Sequence, residues 1–189
     1  MHIRPATRAD SADLAILDDV ASHGLTTRVL QIYVDAGEAE RPLQGARDGF
    51  AFIDGPFSWR NALVAEIDGV VAGSLLSYPI EAEREGGDPP DAALVPLNEL
   101  KSTAEGTRFI DGLAVYPRFR GRGIGRALMQ AEIARADRAL SLITEDNNAK
   151  ALALYASAGF VEAGRRPFVP FAENQTARQW VLLIRDRTP

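Results

Sequence analysis

The chain has 189 residues, 46% hydrophobic and 25% charged, with a net charge of -5, two His and no Cys. This composition predicts one soluble domain, residues 1–189, in the cytoplasm; it excludes disulfides and Cys-metal sites, and we expect no metal. The acidic balance argues against a nucleic-acid partner, and no apolar run approaches the roughly 18 residues that suggest a membrane partner.

Hydrophobic periodicity and turn residues predict a mixed sheet with helices between its strands. Thr7 and Asp10 resemble a capping box that opens the first helix, and Asp68-Gly69 is a type I′ turn sequence between two antiparallel strands. Residues 38–59 are rich in Gly, Pro and Phe and have no clear period. The predicted helices are residues 7–22, 26–36, 124–139 and 147–158. The predicted strands are residues 3–5, 62–67, 70–78, 107–116, 140–144, 160–168 and 177–185.

Residues 81–105 differ from their neighbours in charge. They contain seven acidic and two basic residues, so this segment alone has the net charge of the whole chain. Its acidic, Pro-containing sequence predicts an insertion in the sheet. Such a segment can attract a cationic amine by long-range potential, although a run of acids is more often a solvated loop.

The most informative segment is the glycine loop, residues 118–126, between a predicted strand and a predicted helix. Four arginines surround three glycines here, and a helix N-terminus with free N–H groups suits a pyrophosphate. A Walker loop is excluded because Lys150 is the only lysine downstream. The dinucleotide motif G-x-G-x-x-G/A is half met, but Arg126 occupies its third small position. Glu145, twenty residues after Gly125, fits the ribose-binding acid of that motif, so this alternative stays open.

The sequence Arg120-x-x-Gly123-x-Gly125 resembles the R/Q-x-x-G-x-G/A loop of the GCN5-related N-acetyltransferase (GNAT) family, which holds the pyrophosphate of acetyl-CoA. Residues 148–160, from Asn148 through Tyr155 to Phe160, are similar to the second signature of that family. The resemblance is close over residues 107–160. It implies an α/β (α+β) fold with a mixed, mostly antiparallel sheet of about seven strands, flanked by helices, in which strands 4 and 5 splay apart.

The resemblance also implies which residues hold acetyl-CoA, the acyl donor. The cofactor-binding residues are Leu113, Ala114, Val115, Arg120, Gly121, Arg122, Gly123, Ile124, Gly125, Arg126, Asn148 and Tyr155. An amine would attack the thioester directly, and the N–H of Val115 would polarise its oxygen. Tyr155 occupies the position of the general acid that protonates the leaving thiolate.

A base must take a proton from the attacking amine, and Glu66, Asp111 and Glu145 are the candidates. Peptide N-terminal acetyltransferases of this superfamily can carry a glutamate on strand five, where this chain has Ile143. We therefore expect that the acceptor is the amine of a small molecule more than that of a peptide. A homodimer is a possible oligomeric state. A non-catalytic acyl-CoA-binding regulatory module is the alternative, although it would not need Tyr155; a dinucleotide-binding oxidoreductase comes third.

Overall fold

The computed structural model describes residues 1–81, 89 and 91–187. Within them the chain forms seven strands and six helices. The helices are α1 Ser11–Ala21, α2 Leu25–Asp35, α3 Pro42–Phe52, α4 Val95–Ser102, α5 Ile124–Arg135 and α6 Ala149–Ser157. The strands are β1 His2–Pro5, β2 Ala62–Ile67, β3 Val70–Pro79, β4 Arg108–Val115, β5 Leu140–Glu145, β6 Val161–Pro167 and β7 Gln179–Arg185. No helix among the described residues is long and apolar enough to cross a membrane.

The strands form one sheet in the order β1-β2-β3-β4-β5-β7-β6. β4 and β5 are parallel, while β1 with β2, β2 with β3, β5 with β7 and β6 with β7 are antiparallel. The parallel ladder has three pairs and ends at Ile110 and Leu142, although both strands continue beyond it. The predicted fold class is confirmed, including the separation of strands 4 and 5.

The chain divides into two compact units. The first unit is Met1–Ser77 with Asp111–Ala134, and it contains β1, β2, α1, α2 and α3. The second unit is Tyr78–Ile110 with Arg135–Pro189, and it contains α4, α6, β5, β6 and β7. A single domain over residues 1–189 stays a prediction.

The predicted capping box at the start of the first helix is confirmed. The N–H of Thr7 donates to Oδ2 of Asp10 at 2.7 Å, and a 3-10 turn, Arg8–Asp10, leads into α1. Arg4 of β1 donates two further hydrogen bonds to the Asp10 carboxylate, at 2.8 and 2.9 Å. This bidentate pair fixes the direction in which α1 leaves β1.

The hairpin between β2 and β3 is also as predicted. Asp68 and Gly69 have φ values of 51° and 77°, the left-handed pair that a type I′ turn requires. β3 is buried along almost its whole length, and the hydroxyl of Ser77 donates to Oε1 of Glu132 at 2.6 Å. Glu132 lies on α5 and is fully buried, so this bond satisfies a carboxylate in the core and holds α5 against β3.

Two helices differ from the sequence expectations. α3 lies in residues 38–59, where Gly45 and Gly49 weaken the helical signal, yet Ala46 and Phe50 are buried one turn apart. α4 lies in the predicted insertion; it has a proline, Pro96, in its first turn and buries Leu100. The predicted insertion is thus a packed helix over part of its length. Its charged residues Glu83, Arg84, Glu85 and Asp88 lie outside the described residues.

Replacement of Asp10 by Asn tests the link between β1 and α1. Hydrogen bonding from the Arg4 guanidinium holds the pKa of Asp10 below its ordinary value, against the opposing effect of burial. A lowered folded-state pKa stabilises the fold above the unfolded pKa, and this stabilisation is lost as the pH falls through the folded value. We expect Asp10→Asn to lower the free energy of unfolding by about 1–3 kcal/mol at neutral pH, measured in urea.

The difference from wild type should shrink as the pH falls below about 4, where the unfolded state becomes protonated, and it should vanish below the lowered folded-state pKa, where the Asp10 carboxylate is protonated in both states. Asp54→Asn is the matched control, since Asp54 is 85% exposed and pairs with Arg60 at the surface. The control should change stability by less than about 1 kcal/mol. Equal effects of the two substitutions would show that the Arg4–Asp10 pair does not stabilise the fold.

Candidate functional site

β4 contains one residue more than its pairing with β3 requires. The N–H of Ile80 donates to the C=O of Thr107, and the N–H of Tyr116 donates to the C=O of Ala72, both at 2.9 Å. Residues of a regular strand that face the same neighbour lie an even number of positions apart. Ala72 and Ile80 meet this condition, whereas Thr107 and Tyr116 do not. A β-bulge within β4 accounts for the odd spacing, and it leaves the backbone groups of one residue outside the ladder.

β3 approaches β4 most closely at Gly73. A Cβ atom added at Gly73 would lie 2.6 Å from the C=O oxygen of Ala114 and 3.2 Å from the Cα of Val115. Only glycine allows this separation, so Gly73 determines where the end of β4 lies. Gly73 is a functional position that was not predicted, although an isolated glycine inside a strand is a sequence signal of close backbone approach.

The glycine loop connects β4 to α5 through two residues in the left-handed region. A 3-10 turn, Pro117–Phe119, follows β4, and Gly121 and Gly123 both have φ of 77°. A Cβ atom at either glycine would meet nothing within 4 Å. Backbone conformation therefore requires glycine at these two positions, and the space beside them is open to a ligand.

The N–H groups of residues 121–126 form an unpaired set of donors. The first N–H here with a backbone acceptor is that of Ala127, which donates to the C=O of Gly123 at 3.0 Å. No described residue accepts a hydrogen bond from the preceding six N–H groups. Ile124 is 2% exposed, so it can contribute only its backbone to a ligand. Unpaired N–H groups at the N-terminus of α5 provide the partial positive charge that anions bind.

The loop arginines have no anionic partner among the described residues. Nε of Arg120 donates to the C=O of Val115 at 2.9 Å, which ties the loop back to the end of β4. Arg118 and Arg122 lie over the ring of Phe119, at 4.9 and 5.7 Å from its centre. Arg126 is exposed in the first turn of α5. The loop therefore combines four uncompensated cations with six free N–H groups.

The predicted residues on β4 and β2 have different surroundings. Ala114 is buried, while Leu113 and Asp111 are half-buried on β4. Glu66 on β2 accepts a hydrogen bond from Nε of Arg4 at 2.9 Å. The Glu66 carboxylate is thus ion-paired to Arg4, and its role as a base stays a prediction.

The second unit contains the predicted residues of the other signature. Tyr155 on α6 is 9% exposed and packs edge-to-face on Phe160, with 6.0 Å between ring centres. Burial raises the pKa of Tyr155 to about 12, and no described residue accepts a hydrogen bond from its hydroxyl. Asn148 caps α6, because its Oδ1 accepts from the N–H of Ala151 at 3.3 Å. Glu145, the last residue of β5, is buried.

The sequence matches the model of the acetyltransferase (GNAT) family over residues 26–160. The match covers most of the chain, and it includes the glycine loop and the second signature, residues 148–160. The chain belongs to the GNAT family of acetyltransferases. No similar sequence was found among curated proteins.

Solved structures share the fold over nearly the whole chain. An N-acetyltransferase from Staphylococcus aureus Mu50 has a TM-score of 0.68 at 20% identity, over 97% of this chain and 100% of that chain. The structure of yncA from Salmonella typhimurium with its cofactor acetyl-CoA has a TM-score of 0.62 at 18% identity, over 100% of this chain and 95% of that chain. The ribosomal-protein-alanine N-acetyltransferase from Brucella melitensis has a TM-score of 0.56 at 22% identity, over 98% of this chain and 99% of that chain.

Replacement of Gly73 by Ala tests the close approach of β3 to β4. Because the new methyl group would lie 2.6 Å from a backbone oxygen, one strand must shift. We expect Gly73→Ala to lower the free energy of unfolding by about 1–3 kcal/mol, measured in urea.

Gly49→Ala in α3 is the matched control, because its Cβ atom would meet nothing within 4 Å. Alanine is the better helix former, so this change should stabilise the protein by about 0.5–1 kcal/mol. An unchanged or increased stability of Gly73→Ala would contradict the proposed constraint on β4.

Proposed function

We propose that this protein transfers the acetyl group of acetyl-CoA to the amine of a small-molecule acceptor. The observation that carries the proposal is the set of free N–H groups in residues 121–126 together with the unpaired Arg120, Arg122 and Arg126. This set suits the pyrophosphate of acetyl-CoA, since helix N-termini and guanidinium groups both bind phosphate oxygens. The cofactor in the structure of yncA supports the same donor.

The end of β4 would bind the pantetheine arm of acetyl-CoA. The amides of that arm can pair with a strand edge, and β4 extends beyond its ladder with β5 through Leu113, Ala114 and Val115. The N–H of Val115 would donate to the thioester oxygen as negative charge develops on it. The bond from Arg120 to the C=O of Val115 would keep this part of β4 aligned with the loop.

In the reaction, the amine nitrogen forms a bond to the thioester carbon while the carbon–sulfur bond breaks. An acceptor that arrives as an ammonium ion first loses one proton to become the attacking amine, and the nitrogen loses a second proton as the amide forms, while the leaving thiolate gains one. Asp111 on β4 is the proposed base, acting directly or through water. Its half-buried carboxylate belongs to the same strand as Val115.

Tyr155 is the proposed donor to the thiolate. Its raised pKa of about 12 keeps the phenol protonated at neutral pH. Complete proton transfer to a thiolate whose thiol has a pKa of about 8.5 would be unfavourable by roughly 5 kcal/mol. Tyr155 therefore acts mainly by hydrogen bonding to the developing thiolate, and water supplies the final proton.

One feature of the sequence supports a small-molecule acceptor. Peptide N-terminal acetyltransferases of this superfamily can carry a glutamate at the position of Ile143. This chain therefore lacks the carboxylate that those enzymes can use with a peptide acceptor. The absence of that carboxylate favours recognition of a small amine over recognition of a polypeptide N-terminus.

Replacement of Gly123 by Glu tests the donor site. A carboxylate in the loop repels the pyrophosphate, so the Kd for acetyl-CoA should rise by about 100-fold or more, measured by calorimetry. Gly123→Gln is the matched control, because it has the same strained backbone and the same size without the charge. Its Kd should lie between those of wild type and Gly123→Glu. An unchanged Kd in Gly123→Glu would contradict the loop as the acetyl-CoA site.

Replacement of Tyr155 by Phe tests the donor to the thiolate. We expect kcat to fall by about 10- to 100-fold while the Kd for acetyl-CoA stays near that of wild type. Because burial raises the pKa of Tyr155 to about 12, the phenol stays protonated at lower pH. The plot of kcat/KM against pH should therefore have the same shape in Tyr155→Phe as in wild type below pH 12. A parallel loss of acetyl-CoA binding and thermal stability would show instead that the ring is structural.

A further inference from the structure

A depression in the first unit lies beside Tyr116, the residue that follows β4. Its volume is about 410 Å³, and it is lined by Asp13, Tyr116, Pro117 and Arg118. Binding sites for small molecules have volumes of about 300–1,000 Å³. Carboxylate, phenol and guanidinium groups therefore share a space that is large enough for a small substrate.

Tyr116 positions the carboxylate of Asp13. The Tyr116 hydroxyl donates to Oδ1 of Asp13 at 2.6 Å, which joins the end of β4 to the first turns of α1. Burial and this hydrogen bond raise the pKa of Tyr116 above its ordinary value, so the phenol remains a donor at neutral pH. Oδ2 of Asp13 has no partner among the described residues and can accept from a ligand.

Arg118 supplies the opposite charge in the same depression. Its guanidinium lies 4.9 Å from the ring centre of Phe119 and 5.8 Å from that of Tyr116. These rings hold the arginine by cation–π attraction and leave its N–H donors unused. Among the described residues Arg118 forms no ion pair, with Asp13 or with any other acid.

Two opposite charges that line one depression without pairing leave room for a ligand with both charges. A monoamine would satisfy Asp13 and leave Arg118 unpaired, and a simple anion would do the reverse. An α-amino acid carries an ammonium and a carboxylate at neutral pH, so it complements both residues.

We propose that the depression binds a zwitterionic acceptor of the amino-acid class, with its ammonium group on Asp13 and its carboxylate on Arg118. This inference rests on the proposed function and specifies its acceptor. Tyr116 is a positioning residue in this site, because it acts by holding Asp13. The position of Tyr116 directly after Val115 places the depression next to the residue proposed to polarise the thioester.

The test first offers each of the standard L-amino acids as the acceptor, together with acetyl-CoA. The reaction is measured by the release of free thiol. The best acceptor is then compared with the matching amine that lacks the carboxylate and the matching acid that lacks the amine. We expect the amino acid to have the lowest KM of the amines, and the matching acid to inhibit weakly.

Two substitutions separate the contributions of the two charges. Asp13→Asn should raise KM about tenfold or more for both the amino acid and the matching amine, because both ammonium groups lose their carboxylate partner. Arg118→Gln should raise KM to a similar extent for the amino acid alone. Tyr116→Phe should raise KM less than Asp13→Asn, with little change in kcat. All three should keep the wild-type Kd for acetyl-CoA.

Asp54→Asn and Arg60→Gln are the matched controls, since these residues form an exposed pair on the same unit and do not line the depression. Both should keep the wild-type KM. The inference is overturned if amines without a carboxylate are acetylated as well as amino acids. It is also overturned if Arg118→Gln weakens acetyl-CoA binding and leaves the amino-acid KM unchanged, because Arg118 would then belong to the donor site.

Saturation-transfer NMR with the same amino acids distinguishes this inference from the proposed function. It detects binding to the free protein without turnover, and Asp13→Asn and Arg118→Gln should both abolish the signal. Acetylation of amines with no amino-acid binding overturns the inference alone. A protein that binds amino acids, loses this binding in both variants and neither binds nor uses acetyl-CoA would overturn the proposed function. The same result would support the depression as an amino-acid site.

Discussion

The path of the β4 backbone is the constraint on which the candidate site depends. Gly73 lets β3 approach the C=O of Ala114 so closely that no side chain fits between them, and a bulge within β4 interrupts the regular ladder. The ladder with β5 ends after three pairs. These features free the end of β4 from regular pairing and bring Val115 to the start of the glycine loop. The same backbone then carries Tyr116, whose side chain reaches α1.

Charge pairing distinguishes the loop arginines from several other arginines at the surface. Several arginines at the surface outside the loop each have an acidic partner within 4.0 Å. These pairs are Arg47–Asp48, Arg60–Asp54, Arg138–Glu81, Arg165–Glu162 and Arg166–Glu99. Arg118, Arg120, Arg122 and Arg126 have none, although they lie close together in the sequence. In a protein with a net charge of -5, such a local excess of cations requires a reason, and a phosphate-bearing substrate provides one for Arg120, Arg122 and Arg126.

Local sequence signals predicted the parts of the fold that depend on few neighbouring residues. The Asp68-Gly69 turn and the Thr7 capping box were correct because their geometry is set within four residues. The helix in residues 42–52 was missed because Gly45 and Gly49 lower helix propensity, while burial of Phe50 against the rest of the first unit compensates. Tertiary packing decided this segment.

The candidate site divides in the same way. The glycine loop was predictable because its function depends on contiguous residues, whose free N–H groups follow from the helix start. The pair of Asp13 and Tyr116 joins residues 103 positions apart, and no sequence pattern connects them. The pairing of Glu66 with Arg4 was equally hidden, because it depends on the register between β1 and β2. The sequence therefore indicated the donor, whereas the residues proposed for the acceptor emerged only from the fold.

The most direct test of the central claim is an NMR titration of the ¹⁵N-labelled protein with CoA, which follows each backbone amide. Binding of the pyrophosphate to the loop predicts saturable shifts that are largest for the N–H groups of residues 121–126. NAD should leave these resonances unchanged at the same concentrations. Shifts confined to other parts of the chain, or equal shifts with NAD, would contradict the assignment of the loop to acetyl-CoA.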